Sequence, residues 1–247
     1  MCRHLAYLGP PVPLSRWLFD APHSLSRQSW QPRDMRGGGT INADGFGVGW
    51  FTAAGPVRYR RATPLWSDST LPELAASLPA SGVLAAVRSA TVGMPVTDQA
   101  AAPFAGDGWL FSHNGVVAGW PDSVAKLAAA LPVTDLLTLP APTDAALLWA
   151  LVRDRLRDGE TPAAAVAGTV AAVETAAPGS RLNLLLTDGA TIVASTLGHA
   201  LSVRRDDDSV LVSSEPLDDD PGWQPVGDRT LLVAGATDLV LTPLGDA

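Results

Sequence analysis

The chain begins Met-Cys-Arg-His, and Cys2 is the only cysteine among its 247 residues. A cysteine at position 2 becomes the N-terminus once an initiator methionine is removed. One residue then carries a thiol and a free α-amine, whose unperturbed pKa of about 7.7–8.0 leaves part of it neutral near pH 7. That amine can take the thiol proton, so the nucleophile supplies its own general base. Taken alone, the same residue is also readable as a small buried hydrophobe in a strand, since free cysteine is often only that.

Four other segments carry chemical potential. In FSHNGVVAG (111–119), the Asn114 side-chain amide and the Gly115 backbone N–H form a donor pair of the kind that stabilises a tetrahedral oxyanion in acyl transfer. Asn-Gly is equally the commonest tight-turn dipeptide. In VRSATVGMP (87–95), Arg88 ends an apolar strand, where a guanidinium needs a planar anion. Either a substrate carboxylate or a structural Asp or Glu would serve. In PTDAALLW, Asp144 lies in a helix's first turn, placed to pair with a substrate ammonium or to act with Thr143 at the helix start. In NADGFGVGWF, alternating Gly45, Gly47 and Gly49 let a substrate or a backbone come close to one strand face. This is no dinucleotide fingerprint, because no βαβ unit surrounds it. His4, His23, His113 and His199 show no metal-ligand spacing.

These residues must be held by elements, and the apolar periodicity predicts them. Strands are expected at CRHLAYLG, GFGVGWF, PVRYRRA, VLAAVRSA and GWLFSHNG, with short helices at LSRWLFDAP and LPELAASLP. Three helices follow: PDSVAKLAAALP, APTDAALLWALVRDRLRDG and TPAAAVAGTVAAVETAAP. In the second, Leu147, Leu148, Leu151 and Val152 share one face. Strands return at RLNLLLTD, TIVAST, ALSVRR, SVLVSSEP, TLLVAG and DLVLTP, with DGA and GHA as hairpin turns. Strands, then helices, then strands argue an α+β fold: two mainly antiparallel sheets covered by helices, as in a four-layer α/β/β/α sandwich. One domain, 1–247, is expected. Residues 22–41 read as an irregular stretch compatible with a lid, and DDDPGW (218–223) as a solvated loop.

Composition narrows the partners. A 47% hydrophobic content supplies a large core, and a net charge of −8 disfavours nucleic acid, which is bound through Lys and Arg. One cysteine allows no internal disulfide, and no apolar stretch has membrane-span or signal-peptide length, so a cytoplasmic enzyme is expected.

Cys2, NADGFGVGW, VRSAT, SHNG and TDA occur in the order seen in class II glutamine amidotransferase domains, the N-terminal-nucleophile hydrolases, which the chain resembles over most of its length. More narrowly, MCRHLAYLG, NADGFGVGWF, PLW, AAVRSATVGMP, APF, SHNG, RLN and SEPLDDDPGW are similar to the stand-alone amidohydrolases of ergothioneine biosynthesis. These remove the γ-glutamyl group from γ-glutamyl-hercynylcysteine sulfoxide. The resemblance implies Cys2 as nucleophile with its α-amine as base and acid, and Asn114 with Gly115 as oxyanion hole. It further implies that Arg88 holds the glutamyl α-carboxylate and Asp144 its α-ammonium, with Thr91 a further substrate contact. His113, beside Asn114, is counted with the substrate-binding residues. Met1 is expected to be absent from the mature enzyme, and no metal or organic cofactor is implied.

Ammonia-transferring members carry histidines where this chain has Val92 and Ala102, which fits a γ-glutamyl amide with a larger leaving group. Eight tryptophans suggest an aromatic face for a trimethylammonium, with Trp50 and Trp109 as candidates. The expected partner is a small γ-glutamyl substrate. A homo-oligomer is compatible with the sequence, and other pathway enzymes are not required. Three alternatives stay open at this point: a glutaminase subunit feeding a synthase, an ordinary Cys2–His113 thiol–imidazole pair with Met1 retained, and an inactive binding module.

Overall fold

The computed structural model describes residues 2–36 and 41–245. One sheet has seven strands: β1 (Arg3–Pro13), β2 (Phe46–Thr52), β3 (Gly55–Arg61), β4 (Pro79–Val87), β9 (Ser202–Arg205), β10 (Val210–Ser213) and β11 (Gln224–Pro225). They are ordered β11-β9-β10-β1-β4-β2-β3. The other has six: β5 (Phe104–Gly106), β6 (Trp109–Val116), β7 (Arg181–Thr187), β8 (Ile192–Thr196), β12 (Thr230–Ala234) and β13 (Leu239–Pro243), ordered β13-β12-β8-β7-β6-β5. The strand pairs in both sheets are antiparallel.

Strand side chains alternate between faces, and here the alternation builds four layers. Leu5 and Tyr7 of β1 point outward to a core beneath α1 (Leu25–Gln28) and α2 (Leu71–Ser77), while Ala6 and Leu8 point into the space between the sheets. Across that space, β6 and β7 contribute Leu110 and Leu185, and their other face (Phe111, Leu182, Leu184, Leu186) meets a helical layer. That layer holds α3 (Ala125–Ala130), α4 (Val133–Leu137), α5 (Asp144–Arg157) and α6 (Pro162–Ala176). The expected α+β sandwich is therefore present. Among the described residues, no helix is long and apolar enough to cross a membrane.

α5 starts at Thr143, whose hydroxyl accepts the Ala146 N–H at 3.2 Å. It buries Leu147, Leu148, Trp149 and Val152, each contributing roughly 1.5–3 kcal/mol by leaving water. The expected apolar face is confirmed, with Leu151 at its partly exposed margin.

Several local expectations change. DGA does turn β7 into β8, but GHA (198–200) carries the chain from one sheet to the other. Asn183 fastens this crossover: its amide donates to the His199 and Ala200 carbonyls, and its Oδ1 accepts the Leu197 N–H. The glycines of β2 make room for protein. A side chain at Gly47 would strike the Ala102 carbonyl, and one at Gly49 would strike Leu110. Short β5, α1 and α4 have too few residues for periodicity to announce them. Asp218 of DDDPGW is structural, since its carboxylate accepts the Trp223 indole N–H at 2.7 Å.

Residues 23–34 are fastened. Glu215, just beyond β10 and almost wholly buried, accepts from His23 Nε2 and the Arg33 N–H, each at 2.7 Å, and pairs with Arg3 Nε at 3.0 Å. Gln28 donates to the His23 carbonyl, and Arg3 also donates to the Asp34 carbonyl. The part of the lid expectation falling on residues 37–40 lies outside the described residues.

Burial pushes the Glu215 carboxyl up, but His23, the Arg33 N–H, Arg3 and the Asp34 N–H together outweigh it and hold the group below its ordinary 4.5. A depressed acid stabilises fully above its unfolded pKa and loses that contribution as pH falls through the folded value. Glu215→Ala, which leaves Arg3 buried without its anion, is expected to cost roughly 3–5 kcal/mol in denaturant unfolding. The stability gap between wild type and Glu215→Gln should persist above pH 4.5 and close below it. A gap that widens on acidification would contradict this assignment.

Candidate active site

The pleat delivers the candidate residues to one place. Ala6, Leu8 and Leu84 face the inter-sheet space, so His4 on β1, Cys2 just before it, and Arg88 just past β4, point the same way. Arg3 pairs with Val87, which brings Cys2 alongside Arg88. On the opposing sheet, Leu110 and Leu185 set the parity for Ser112 and Asn114 on β6, and for Arg181 and Asn183 on β7. His4 Nδ1 lies 3.2 Å from Ser112 Oγ and bridges the sheets two residues from Cys2. Burial drives the His4 pKa down to about 3, so its ring is neutral at neutral pH.

Cys2, Arg88, Ser112, His113, Phe104 and Ala145 line a cavity of about 30 Å³. The Cys2 thiol is 3.9 Å from the Ser89 carbonyl. His113 Nε2 donates instead to the Arg181 carbonyl at 3.0 Å, so His113 lines the thiol's cavity without a thiol–imidazole hydrogen bond among the described residues.

Asn114 and Gly115 are not a turn. Both lie within β6, paired with Asn183 and Leu182. Asn114 is fully buried, and among the described residues neither end of its amide has a partner. A desolvated, unpaired amide costs about 1–3 kcal/mol, a cost characteristic of functional sites. The polar groups of Leu182 turn toward β8: its N–H bonds the Leu197 carbonyl, and its carbonyl accepts Ser195 Oγ. Gly115 and Leu182 are therefore a non-hydrogen-bonded pair, and the Gly115 N–H faces the other edge of β6. There β5 has already ended, at Phe104 opposite Phe111, and leaves that edge open. Only glycine fits at 115, since a Cβ would overlap the Arg181 carbonyl.

Arg88 is 8% exposed, and its Nη1 donates to the Pro95 carbonyl at 2.8 Å. Among the described residues no carboxylate lies within 4.0 Å of it, so the structural ion pair is not what holds it. Its backbone is locked to the NADG turn: Arg88 N–H bonds the Gly45 carbonyl, Asp44 N–H bonds the Arg88 carbonyl, and Asp44 Oδ2 accepts the Ala90 N–H. Asp144 is equally buried. Its Oδ2 accepts the Val117 N–H at 3.1 Å and its Oδ1 the Ala145 N–H at 2.8 Å, tying the end of β6 to the start of α5. Thr91 is exposed and lines an open groove of about 470 Å³ with Met94, Val117 and Trp120. The 88–94 loop thus walls both cavity and groove.

The tryptophan expectation needs correction. Trp50 packs against the outer core of the seven-stranded sheet and Trp109 against the helical layer, so neither lines the cavity or groove. Val92 is fully exposed, whereas Ala102 lines the cavity beside Cys2. Sequence reasoning assigned no chemistry to the His4–Ser112 bridge, to Glu215 or to Arg181. The strings SEP and RLN that contain the last two were its only signal.

Residues 19–207 match the glutamine amidotransferases class-II family. The chain is 41% identical over 245 residues to the gamma-glutamyl-hercynylcysteine sulfoxide hydrolase of Mycolicibacterium smegmatis, covering 99% of this chain and 100% of that protein. It is 42% identical over 249 residues to the hydrolase of the same name from Mycobacterium tuberculosis CDC 1551, covering 100% and 98%. Among solved structures, a glutamine aminotransferase class-II domain protein from Silicibacter pomeroyi aligns with TM-score 0.71 at 25% identity, covering 98% of this chain and 99% of that one. The glutamine phosphoribosylpyrophosphate amidotransferase of B. subtilis shares the fold, with TM-score 0.72 and 13% identity over all of this chain and 50% of that one. The chain belongs to the class-II glutamine amidotransferase family.

Proposed function

We propose that this protein hydrolyses the γ-glutamyl amide bond of γ-glutamyl-hercynylcysteine sulfoxide, releasing glutamate and hercynylcysteine sulfoxide. The observation that carries this reading is full-length identity of 41–42% to relatives bearing that hydrolase name. The site's chemistry supports it. Among the described residues Arg88 is buried without an acid, which suits the glutamyl α-carboxylate, and Asp144 without a base, which suits the α-ammonium. Two opposite charges in a dry site hold a zwitterion more firmly than water would. They fix the substrate's γ-carbonyl within reach of Cys2.

With Met1 removed, the Cys2 amine takes the thiol proton and the thiolate attacks the γ-carbonyl carbon. The Asn114 amide and the Gly115 N–H receive the negative charge that develops on the carbonyl oxygen. On collapse, the C–N bond breaks and the amine's proton passes to the leaving nitrogen. A γ-glutamyl thioester remains on Cys2. Water, deprotonated by the same amine, attacks the thioester and releases glutamate and the thiol. His113 and the Arg181 carbonyl hold Gly115 in place, and Thr91 contributes to substrate contact from the loop.

Two experiments test the reading. Intact mass should show the chain lacking Met1, and such protein should release glutamate from γ-glutamyl-hercynylcysteine sulfoxide faster than from glutamine. Cys2→Ala should release none, and a preference for glutamine would sink the substrate assignment. Asn114→Ala should lower kcat by about 10²–10³ with little change in KM. Because the Asn114 side-chain amide makes no hydrogen bond among the described residues, the same variant should not lower Tm. A large loss of Tm would mark the residue as structural.

A further inference from the structure

Arg181 is a charged group that the reaction as described does not use. It opens β7 opposite Val116, one step beyond the Asn114–Asn183 pair, and points into the same inter-sheet space as Cys2 and Asn114. Its carbonyl fills the space beside Gly115 and accepts from His113, so its backbone abuts the oxyanion hole. Its Nε donates to His199 Nε2 at 3.1 Å. Among the described residues no carboxylate lies within 4.0 Å of it, and its two terminal amino groups have no hydrogen-bond partner. His199 is neutral: burial first, then Arg181, Arg3 and His113, push its pKa down to about 4. It can orient the guanidinium but cannot neutralise it.

The neighbouring charges are already spoken for. Arg3 is paired with Glu215, and Arg88 lies with Asp144's helix on the side of β6 where β5 ends. Arg181 lies on the β7 side of the same strand. The oxyanion residues therefore separate a glutamyl grip from a second, open cationic fork. An amide held with its carbonyl oxygen at Asn114 and Gly115 has its acyl chain on one side and its leaving amine on the other.

We propose that Arg181 is an anion-binding residue for the leaving group, taking a carboxylate borne on the carbon attached to the scissile nitrogen. This rests on the hydrolase reading above, because a γ-glutamyl conjugate of a cysteine carries that carboxylate and the amide of glutamine does not. Arg181 then selects γ-glutamyl amino acids over simple γ-glutamyl amides, with His199 aligning its fork for a bidentate contact.

The test compares γ-glutamyl-S-methylcysteine with γ-glutamyl-S-methylcysteamine, which differ only by the carboxylate. The wild type should favour the first in kcat/KM. Arg181→Met should lower kcat/KM for it by about 10- to 100-fold while changing the second by less than about twofold. Arg181→Lys, keeping the charge without the fork, should fall between. Equal losses on both analogues would reduce Arg181 to a structural role, and equal wild-type turnover of both would remove the subsite while leaving the hydrolase reading intact. Wild type that cleaves neither analogue, yet releases glutamate from glutamine, would overturn that reading itself. Should Arg181→Met fail to fold, calorimetry on Cys2→Ala and on Cys2→Ala/Arg181→Lys decides. Tighter binding of the carboxylate analogue that weakens in the double variant supports the subsite, and equal binding of the analogues overturns it.

Discussion

The site depends on how the start of β1 is held against the middle of β6. Those strands belong to different sheets, and no backbone ladder sets their relative position. Apolar packing between sheets is non-directional and tolerates sliding. The His4–Ser112 contact supplies direction at the place where direction matters, one residue from Arg3 and two from Cys2. It works because burial keeps His4 neutral, so no charge competes with Arg88 or Arg181 nearby. Outside the sheet, Glu215 performs the matching task by fixing Arg3 to the 23–34 segment. The pleat sends Cys2 inward and Arg3 outward, and each is anchored on its own side.

Around this anchor the protein accumulates groups a stable core would avoid. Among the described residues, Asn114 has an unpaired side-chain amide, Arg88 and Asp144 are buried without opposite charges, and the Gly115 N–H faces an edge that β5 abandons. Each is unfavourable in isolation by amounts of order a kcal/mol or more. They coexist because three large apolar clusters surround them, and because each is fixed by bonds to the main chain. Arg88 is held through Gly45 and Asp44, Asp144 through Val117 and Ala145, and Gly115 by the Arg181 carbonyl. Arg88 and Asp144 each also spend side-chain atoms on backbone partners, Pro95 for the one and Val117 and Ala145 for the other, which aims the charged groups without neutralising them.

Much of this was legible in the sequence, for definable reasons. Period-2 runs such as LAYLG and LNLLLT bury one residue type on each face, so their strand character is local. The α5 face at Leu147, Leu148 and Val152 is local in the same sense. Cys2, Asn114, Gly115, Arg88 and Asp144 drew attention because their chemistry is out of place in apolar strands or at a helix start. The crossover at GHA was not legible, because a Gly-containing link reads alike whether the next strand pairs or changes sheet. Trp50 and Trp109 misled because tryptophan abundance says nothing about which face a strand residue occupies. Glu215 and Ser112 were missed because each matters through a partner more than 100 residues away in sequence, and Arg181 because its place beside Gly115 is set by the pairing of β6 with β7.

The same long-range logic explains why one histidine cannot substitute for another here. His4, His113 and His199 cluster at the buried end of the sandwich, yet each ring nitrogen meets a different group: a hydroxyl, a backbone carbonyl and a guanidinium. A single protonated imidazole among them would place a cation beside Arg3, Arg181 and Arg88 in a low-dielectric space, where like charges repel strongly. Burial prevents this for His4 and His199. An imidazole held neutral to about pH 3 or 4 is too weak a base to activate a thiol near neutrality. The features that let these rings orient their neighbours therefore remove two of them from acid–base work near neutrality.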